Sequence, residues 1–319
     1  MRKIALEEHF ITPDFIAYSK ENFAGFNQEE QNSIIGVLSD FEDLRLKAMD
    51  NAGISISVLS LTDPGVQREP DAALAVRLAR KANDALAGQI QKHPTRFRGF
   101  AHLALQDPPA AAAELERCVR DLHFVGALIN GQTNGHYLDE EPYYPFWERV
   151  QELDVPIYLH PGNAFQMPYS FKNHPELNGA IWGWAMETGT HALRLVFSGF
   201  FDRFPSIRLI LGHMGEALPY FLWRFDSRWG IMKHSIELKK PPSQYIKDHI
   251  AITISGMYAN EPLLCALNAL GEDSLMFSTD YPYESSQAAA QFIEQAPLKE
   301  DVRQKICYKN AERFLNLNL

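Results

Sequence analysis

Apolar residues fall into eight short, β-branched runs, separated by longer stretches in which they recur every three or four positions. The short runs predict strands at Lys3 to Leu6, Ile54 to Leu61, Phe97 to Leu103, Val125 to Asn130, Pro156 to Leu159, Ile207 to Leu211, His249 to Ser255 and Leu275 to Ser278. The longer stretches predict helices at Phe41 to Asn51, Asp71 to Lys92, Pro108 to Asp121, Tyr144 to Leu153, Trp184 to Phe201, Pro219 to Arg228, Glu261 to Leu270 and Ser286 to Gln295. A last helix, Glu300 to Phe314, follows. Their ends carry suitable signals. Asp40 and Asp107 precede helical runs, Gly53 follows Ala52, and Pro108 and Pro262 sit in first turns, where a missing N–H costs nothing.

Strands this apolar, alternating with helices, imply a parallel sheet covered by helices, and eight of them close naturally into a (β/α)₈ barrel. A doubly wound open sheet is the alternative, but no G-x-G-x-x-G follows any strand. The alternation runs without a Ser/Gly-rich linker, so residues 1–319 read as one domain. Thr12 to Ser39 breaks the rhythm and reads as an insertion after the first strand. In a barrel it overhangs the C-terminal face, where active sites lie.

Polar residues gather at the C-terminal ends of the strands. Strand one runs into Glu7-Glu8-His9, strand five ends at His160, strand six leads to His213 and Glu216, and strand eight to Asp280. Glu7 and His9 are two apart and project to the same side of an extended strand, while Glu8 faces away. In a barrel the inward residues of strands one, five and eight converge, which brings Glu7, His9, His160 and Asp280 to one point. Two imidazoles and two carboxylates suit Zn²⁺ or Mn²⁺ acting as a Lewis acid.

Composition narrows the rest. The 319 residues carry 40 acidic and 30 basic side chains, a net charge of -10, which excludes a nucleic-acid partner. Three well-separated cysteines, Cys118, Cys265 and Cys307, offer neither a disulfide framework nor a thiolate cluster, as expected of a cytoplasmic protein. The N-terminus lacks a signal-peptide core, and no stretch approaches a membrane span.

The segments Ala5-Leu6-Glu7-Glu8-His9-Phe10, Leu159-His160-Pro161, Leu211 to Glu216 and Phe277 to Pro282 resemble the metal-dependent decarboxylase branch of the amidohydrolase superfamily. Within it they are most similar to the γ-resorcylate (2,6-dihydroxybenzoate) decarboxylases, then to the 2,3-dihydroxybenzoate decarboxylases. The likeness spans the chain, through Asp43 to Lys47, Met49-Asp50, Asp107-Pro108, Phe124 to Leu128 and Asn310 to Phe314. It implies one divalent ion on Glu7, His9, His160 and Asp280, since strand four ends Leu128-Ile129-Asn130-Gly131 without the lysine or glutamate that bridges two metals. It also implies that His213 is catalytic, with Glu216 orienting its ring, and that Asp280 protonates the ring carbon of an ortho-hydroxylated benzoate, reversibly toward carboxylation. Arg224 resembles the family arginine near the substrate carboxylate.

Phe23 is the preferred aromatic wall, from the insertion, with Trp182, Trp184, Tyr281 and Tyr283 as further candidates and Asn130 as a hydrogen-bonding group. A homodimer or homotetramer is expected from the relatives. Three features depart from or divide the family pattern. His9 separates the chain from fungal relatives with alanine there, Gly131 to Glu141 is short, and Gly162 replaces an arginine. The rival activity on the same barrel is metal-dependent hydrolysis of a lactone or amide; a non-catalytic binding protein is disfavoured by the intact ligand set.

Overall fold

The strands pair in parallel and in chain order: β1 (Lys3–Phe10), β2 (Ile54–Leu61), β3 (Phe97–Gly99), β4 (Ala127–Asn130), β5 (Ile157–His160), β6 (Leu209–Leu211), β7 (Ile250–Thr253) and β8 (Leu275–Met276). The computed structural model describes residues 1–21 and 26–317. Hydrogen-bonded ladders run through β1-β2-β3 and through β4 to β8. Two parallel bridges join them, Ala101 to Ala127 and Glu8 to Tyr281, with His9 N–H donating to Tyr281 O at 2.7 Å. The sheet therefore closes into the expected (β/α)₈ barrel.

Alternation along the strands decides what fills it. Ile4, Leu6, Ile56, Val58, Phe100, Leu128, Tyr158, Ile210, Ala251 and Met276 form an interior cluster. Ala311 and Leu315, in and just after the helix Asn310–Phe314, join that cluster. The opposite faces of the strands pack on the surrounding helices in a second, larger cluster.

β1 carries a bulge that matters for the site. Ala5 pairs with Ser57 but Glu8 with Leu59, so β1 advances three residues while β2 advances two. Leu6 belongs to the interior cluster, yet Glu7 and His9 also face inward. Ser278 Oγ accepts the Leu6 N–H at 3.1 Å and the Glu7 N–H at 2.5 Å, satisfying the backbone where the strand changes phase.

Several element ends differ from expectation. β1 extends through Phe10, β3 stops at Gly99, and β8 holds two residues because Phe277 N–H turns to Ile306 O at 2.8 Å. That carbonyl lies in a π-helical stretch, Lys305–Lys309, which interrupts the last helix. The helix expected over Trp184 to Phe201 ends at Phe197, where Gly199 takes φ 75°. Two unexpected helices appear, Gln28–Ser39 inside the insertion and Pro242–His249 before β7. The first is polar and has a capping box, Asn27 with Glu30.

His102 and His191 are buried and neutral. Their Nε2 atoms accept the N–H groups of Val66 and Leu138, each at 2.9 Å, and burial depresses both imidazoles to about 3. An unfolded histidine titrates near 6.5, so below that pH the unfolded chain binds more protons and stability falls as pH drops toward 3. At pH 5.0 each costs about 2 kcal/mol. Metal-free His191→Gln should therefore lose about 2 kcal/mol less than the wild type between pH 7.5 and 5.0 in urea titrations. Equal losses would refute the assignment.

Candidate metal centre

One donor atom each from Glu7, His9, His160 and Asp280 lies within 4.8 Å of the others, at the C-terminal mouth of the barrel. His9 Nε2 is 3.2 Å from Asp280 Oδ1, and His160 Nε2 is 3.3 Å from Glu7 Oε1. The two rings meet edge to face, with centroids 4.7 Å apart. Glu7 and His9 are fully buried, and Glu7 Oε1 and His9 Nε2 have no hydrogen-bond partner. Buried polar atoms without partners are costly, and a cation between them removes that cost. The residues thus fit a divalent ion.

The neighbours prepare the donors. His160 Nδ1 is 2.8 Å from Pro161 O, so its proton sits there and the Nε2 lone pair faces the centre. His9 Nδ1 is 3.2 Å from Ser60 Oγ. Glu7 Oε2 accepts from the hydroxyls of Tyr158 and Ser255. Burial alone would raise the Glu7 carboxyl, but His213, His160 and His9 outweigh it and hold it well below the usual range. Burial likewise opposes a charged His213, yet Glu7, Glu216 and Asp280 drive its imidazole upward.

His213 follows β6 in an unusual backbone. His213, Met214, Gly215, Glu216 and Ala217 all have positive φ, between 49° and 80°. Such conformations are costly outside glycine and persist where the surroundings enforce them. This turn sets His213 Nδ1 2.8 Å from Glu216 Oε1 and leaves Nε2 at 3.6 Å from both Glu7 Oε1 and Asp280 Oδ2. Asp280 itself has φ 62°.

Two cavities meet at Asp280. One, about 870 Å³, is walled by Thr62, His160, Trp184 and Tyr283 and by Phe26, Glu30, Ile34 and Val37, so the insertion overhangs the C-terminal face as expected. The other, about 640 Å³, lies on the His213 side among Trp182, Trp184, Met186, Met257 and Cys265. Trp184 separates them, its Nε1–H donating to Asn163 Oδ1 at 2.6 Å.

Not every expected residue arrives here. Phe23 lies outside the described residues; Phe26 stands in the wall from the same segment. Tyr281 corrects the expectation: Asp280 faces in, its successor alternates outward, and the Tyr281 ring packs 4.8 Å over Arg45. Tyr283 takes the inner place, 5.8 Å from the His9 ring and 2.5 Å from Thr62 Oγ1. Arg224 is solvent-exposed on the helix Leu218–Trp229 and lines neither cavity. Asn130 pairs with His160 across β4 and β5 but is buried outside both cavity walls. Glu8 faces away as expected, taking the Thr279 N–H at 3.0 Å.

Comparison with known proteins decides the family. The sequence model described as Amidohydrolase matches residues 36–317. The chain belongs to the amidohydrolase family. Among curated members, a gamma-resorcylate decarboxylase of Polaromonas sp. (strain JS666) is 43% identical over 326 residues, covering 99% of each chain. Among solved members, a 2,6-dihydroxybenzoate decarboxylase complexed with 2,6-dihydroxybenzoate superposes with a TM-score of 0.93 at 42% identity, covering 99% of this chain and 100% of that one. A dihydroxybenzoic acid decarboxylase from Polaromonas sp. JS666, with bound manganese and the inhibitor 2-nitroresorcinol, gives 0.93 at 44%, covering 99% and 97%. This amidohydrolase shares its barrel with both.

The fit predicts one Mn²⁺ per chain by elemental analysis after stripping and reloading. Free Mn²⁺ at a hundred times its Kd should stabilise the fold by about 2.7 kcal/mol, read as a rise in melting temperature. His160→Ala should abolish that rise. A variant that still gains the full increment would remove His160 from the ligand set.

Proposed function

We propose that this amidohydrolase is a carboxy-lyase that decarboxylates an ortho-hydroxylated benzoate without oxidant, using one divalent ion, and reverses toward carboxylation at high bicarbonate. The observation that carries the reading is the convergence of Glu7, His9, His160 and Asp280 beside His213, in a chain alike over its full length to decarboxylases of that class. Residues 1–319 act as one unit in this proposal. Mn²⁺ is favoured over Zn²⁺ by the manganese bound in a related structure. The ring pattern favoured is 2,6-dihydroxy, ahead of 2,3-dihydroxy.

Glu7, His9, His160 and Asp280 hold the ion, which supplies Lewis-acid charge that favours the deprotonated phenol and carboxylate oxygens of the substrate. Asp280 takes up the proton that the substrate phenol gives up and delivers it to the ring carbon bearing the carboxylate. The bond to that carboxylate then breaks, its electron pair restores the aromatic ring, and CO₂ leaves. His213, held by Glu216, faces Asp280 Oδ2 and serves to return a proton there. Trp184 and Tyr283 flank the ring, and Phe26 closes over it from the insertion.

The assignment predicts CO₂ release from 2,6-dihydroxybenzoate and no ring opening of lactones. Asp280→Asn, verified to hold metal, should lose about 10²- to 10⁴-fold in kcat. Near-normal turnover by the loaded variant would remove Asp280 as the acid.

A homodimer or homotetramer in the cytoplasm completes the proposal. Ile181, Trp182, Tyr220 and Met257 are solvent-exposed around the rim of one cavity, and Trp223 follows one turn on from Tyr220. Large exposed apolar surface of this kind favours a second copy as its cover. None of the helices of the described residues is long and apolar enough to cross a membrane. Trp223→Glu should shift the sedimenting species toward monomer; an unchanged mass would place the interface elsewhere.

A further inference from the structure

Tyr158 is fully buried beneath the metal centre, two residues before His160 on the same face of β5. Its hydroxyl donates to Glu7 Oε2 and lies 2.9 Å from Thr253 Oγ1. Ser255 also donates to Glu7 Oε2, and its oxygen is 2.9 Å from Thr253 Oγ1. Thr253 Oγ1 approaches the same carboxylate oxygen at 3.4 Å. The His213 backbone N–H donates to Ser255 Oγ at 3.2 Å.

Tyr158 and Ser255 spend their protons on Glu7, and Thr253 has one left for either neighbouring hydroxyl oxygen. Oε2 is thereby saturated. A Cβ at Gly212 would come within 2.8 Å of the same oxygen, so the absence of a side chain there lets the carboxylate sit where it does. Oε1 alone keeps its lone pairs for the centre.

We propose that Tyr158, Thr253 and Ser255 are positioning residues that hold Glu7 as a one-oxygen ligand and tie its setting to that of His213. The inference rests on the metal-dependent reading above. A carboxylate free to turn can offer both oxygens to one ion. Clamped through Oε2 it would offer Oε1 alone, leaving more of the ion open to substrate. Through Ser255, the clamp that fixes the ligand also holds the start of the left-handed turn at His213.

The test is Mn²⁺ binding by calorimetry, with the electron paramagnetic resonance spectrum of the bound ion, on the full chain and on Tyr158→Phe, Ser255→Ala and Ser255→Thr. Tyr158→Phe and Ser255→Ala should each raise Kd about 10- to 100-fold and alter the spectrum. Each variant also loses a buried hydrogen bond to a carboxylate, so its metal-free melting temperature should fall somewhat, and Kd is compared on protein shown to be folded. Ser255→Thr, which keeps a hydroxyl, should bind more tightly than Ser255→Ala. Wild-type affinity and spectrum in either folded variant lacking a hydroxyl would overturn the clamp; if one fails to fold, the other gives the same reading. No Mn²⁺ binding by the wild type would instead overturn the metal reading beneath it.

Discussion

The site depends on closure of the barrel between its first and last strands. The His9 N–H bond to Tyr281 O joins the end of β1 to the chain leaving β8, and with it Glu7 and His9 come to face Asp280. An open sheet would leave these donors at opposite edges. Closure also forces the burial of carboxylates and imidazoles together, which is tolerable only where each charge has a partner. Oε2 of Glu7 has its hydroxyls; Oε1 and His9 Nε2 have none, and there a cation belongs. Charge works locally in a chain whose net charge of -10 repels a benzoate at long range.

Much of this was legible because the signal is periodic. Eight apolar runs alternating with helices imply a barrel, and a barrel turns strand ends that are distant in sequence into neighbours. Glu7, His9, His160 and Asp280 could be gathered from that logic because each follows closely on a predicted strand. The spacing of Glu7 and His9 also predicted that Glu8 turns away, to Thr279. His102 shows the limit of the rule: it too follows a strand, yet its Nε2 is spent on the Val66 N–H.

What escaped notice lacked a period or broke one. The bulge in β1 lets Leu6 and Glu7 both face inward, and no propensity marks where a strand gains a residue. Tyr281 and Tyr283 are indistinguishable by type; Tyr281 faces away from Asp280 as its immediate neighbour, and the turn in which Tyr283 N–H donates to Asp280 O at 2.9 Å brings Tyr283 back to the inner side. Helix Gln28–Ser39 is too polar to show a clear apolar stripe. The hydroxyls under Glu7 did leave a trace. Thr253 and Ser255 alternate with Ile252 and Ile254, and Tyr158 and His160 with Ile157 and Leu159; polar groups two apart in a buried strand point to a shared inner face.

The most direct test is a titration of activity by metal. Protein stripped with a chelator and then given increasing Mn²⁺ should release CO₂ from 2,6-dihydroxybenzoate at a rate that rises linearly and breaks at one equivalent per chain. Full activity in the stripped protein, or no CO₂ from any ortho-hydroxybenzoate at saturating metal, would contradict a metal-dependent decarboxylase built on Glu7, His9, His160 and Asp280.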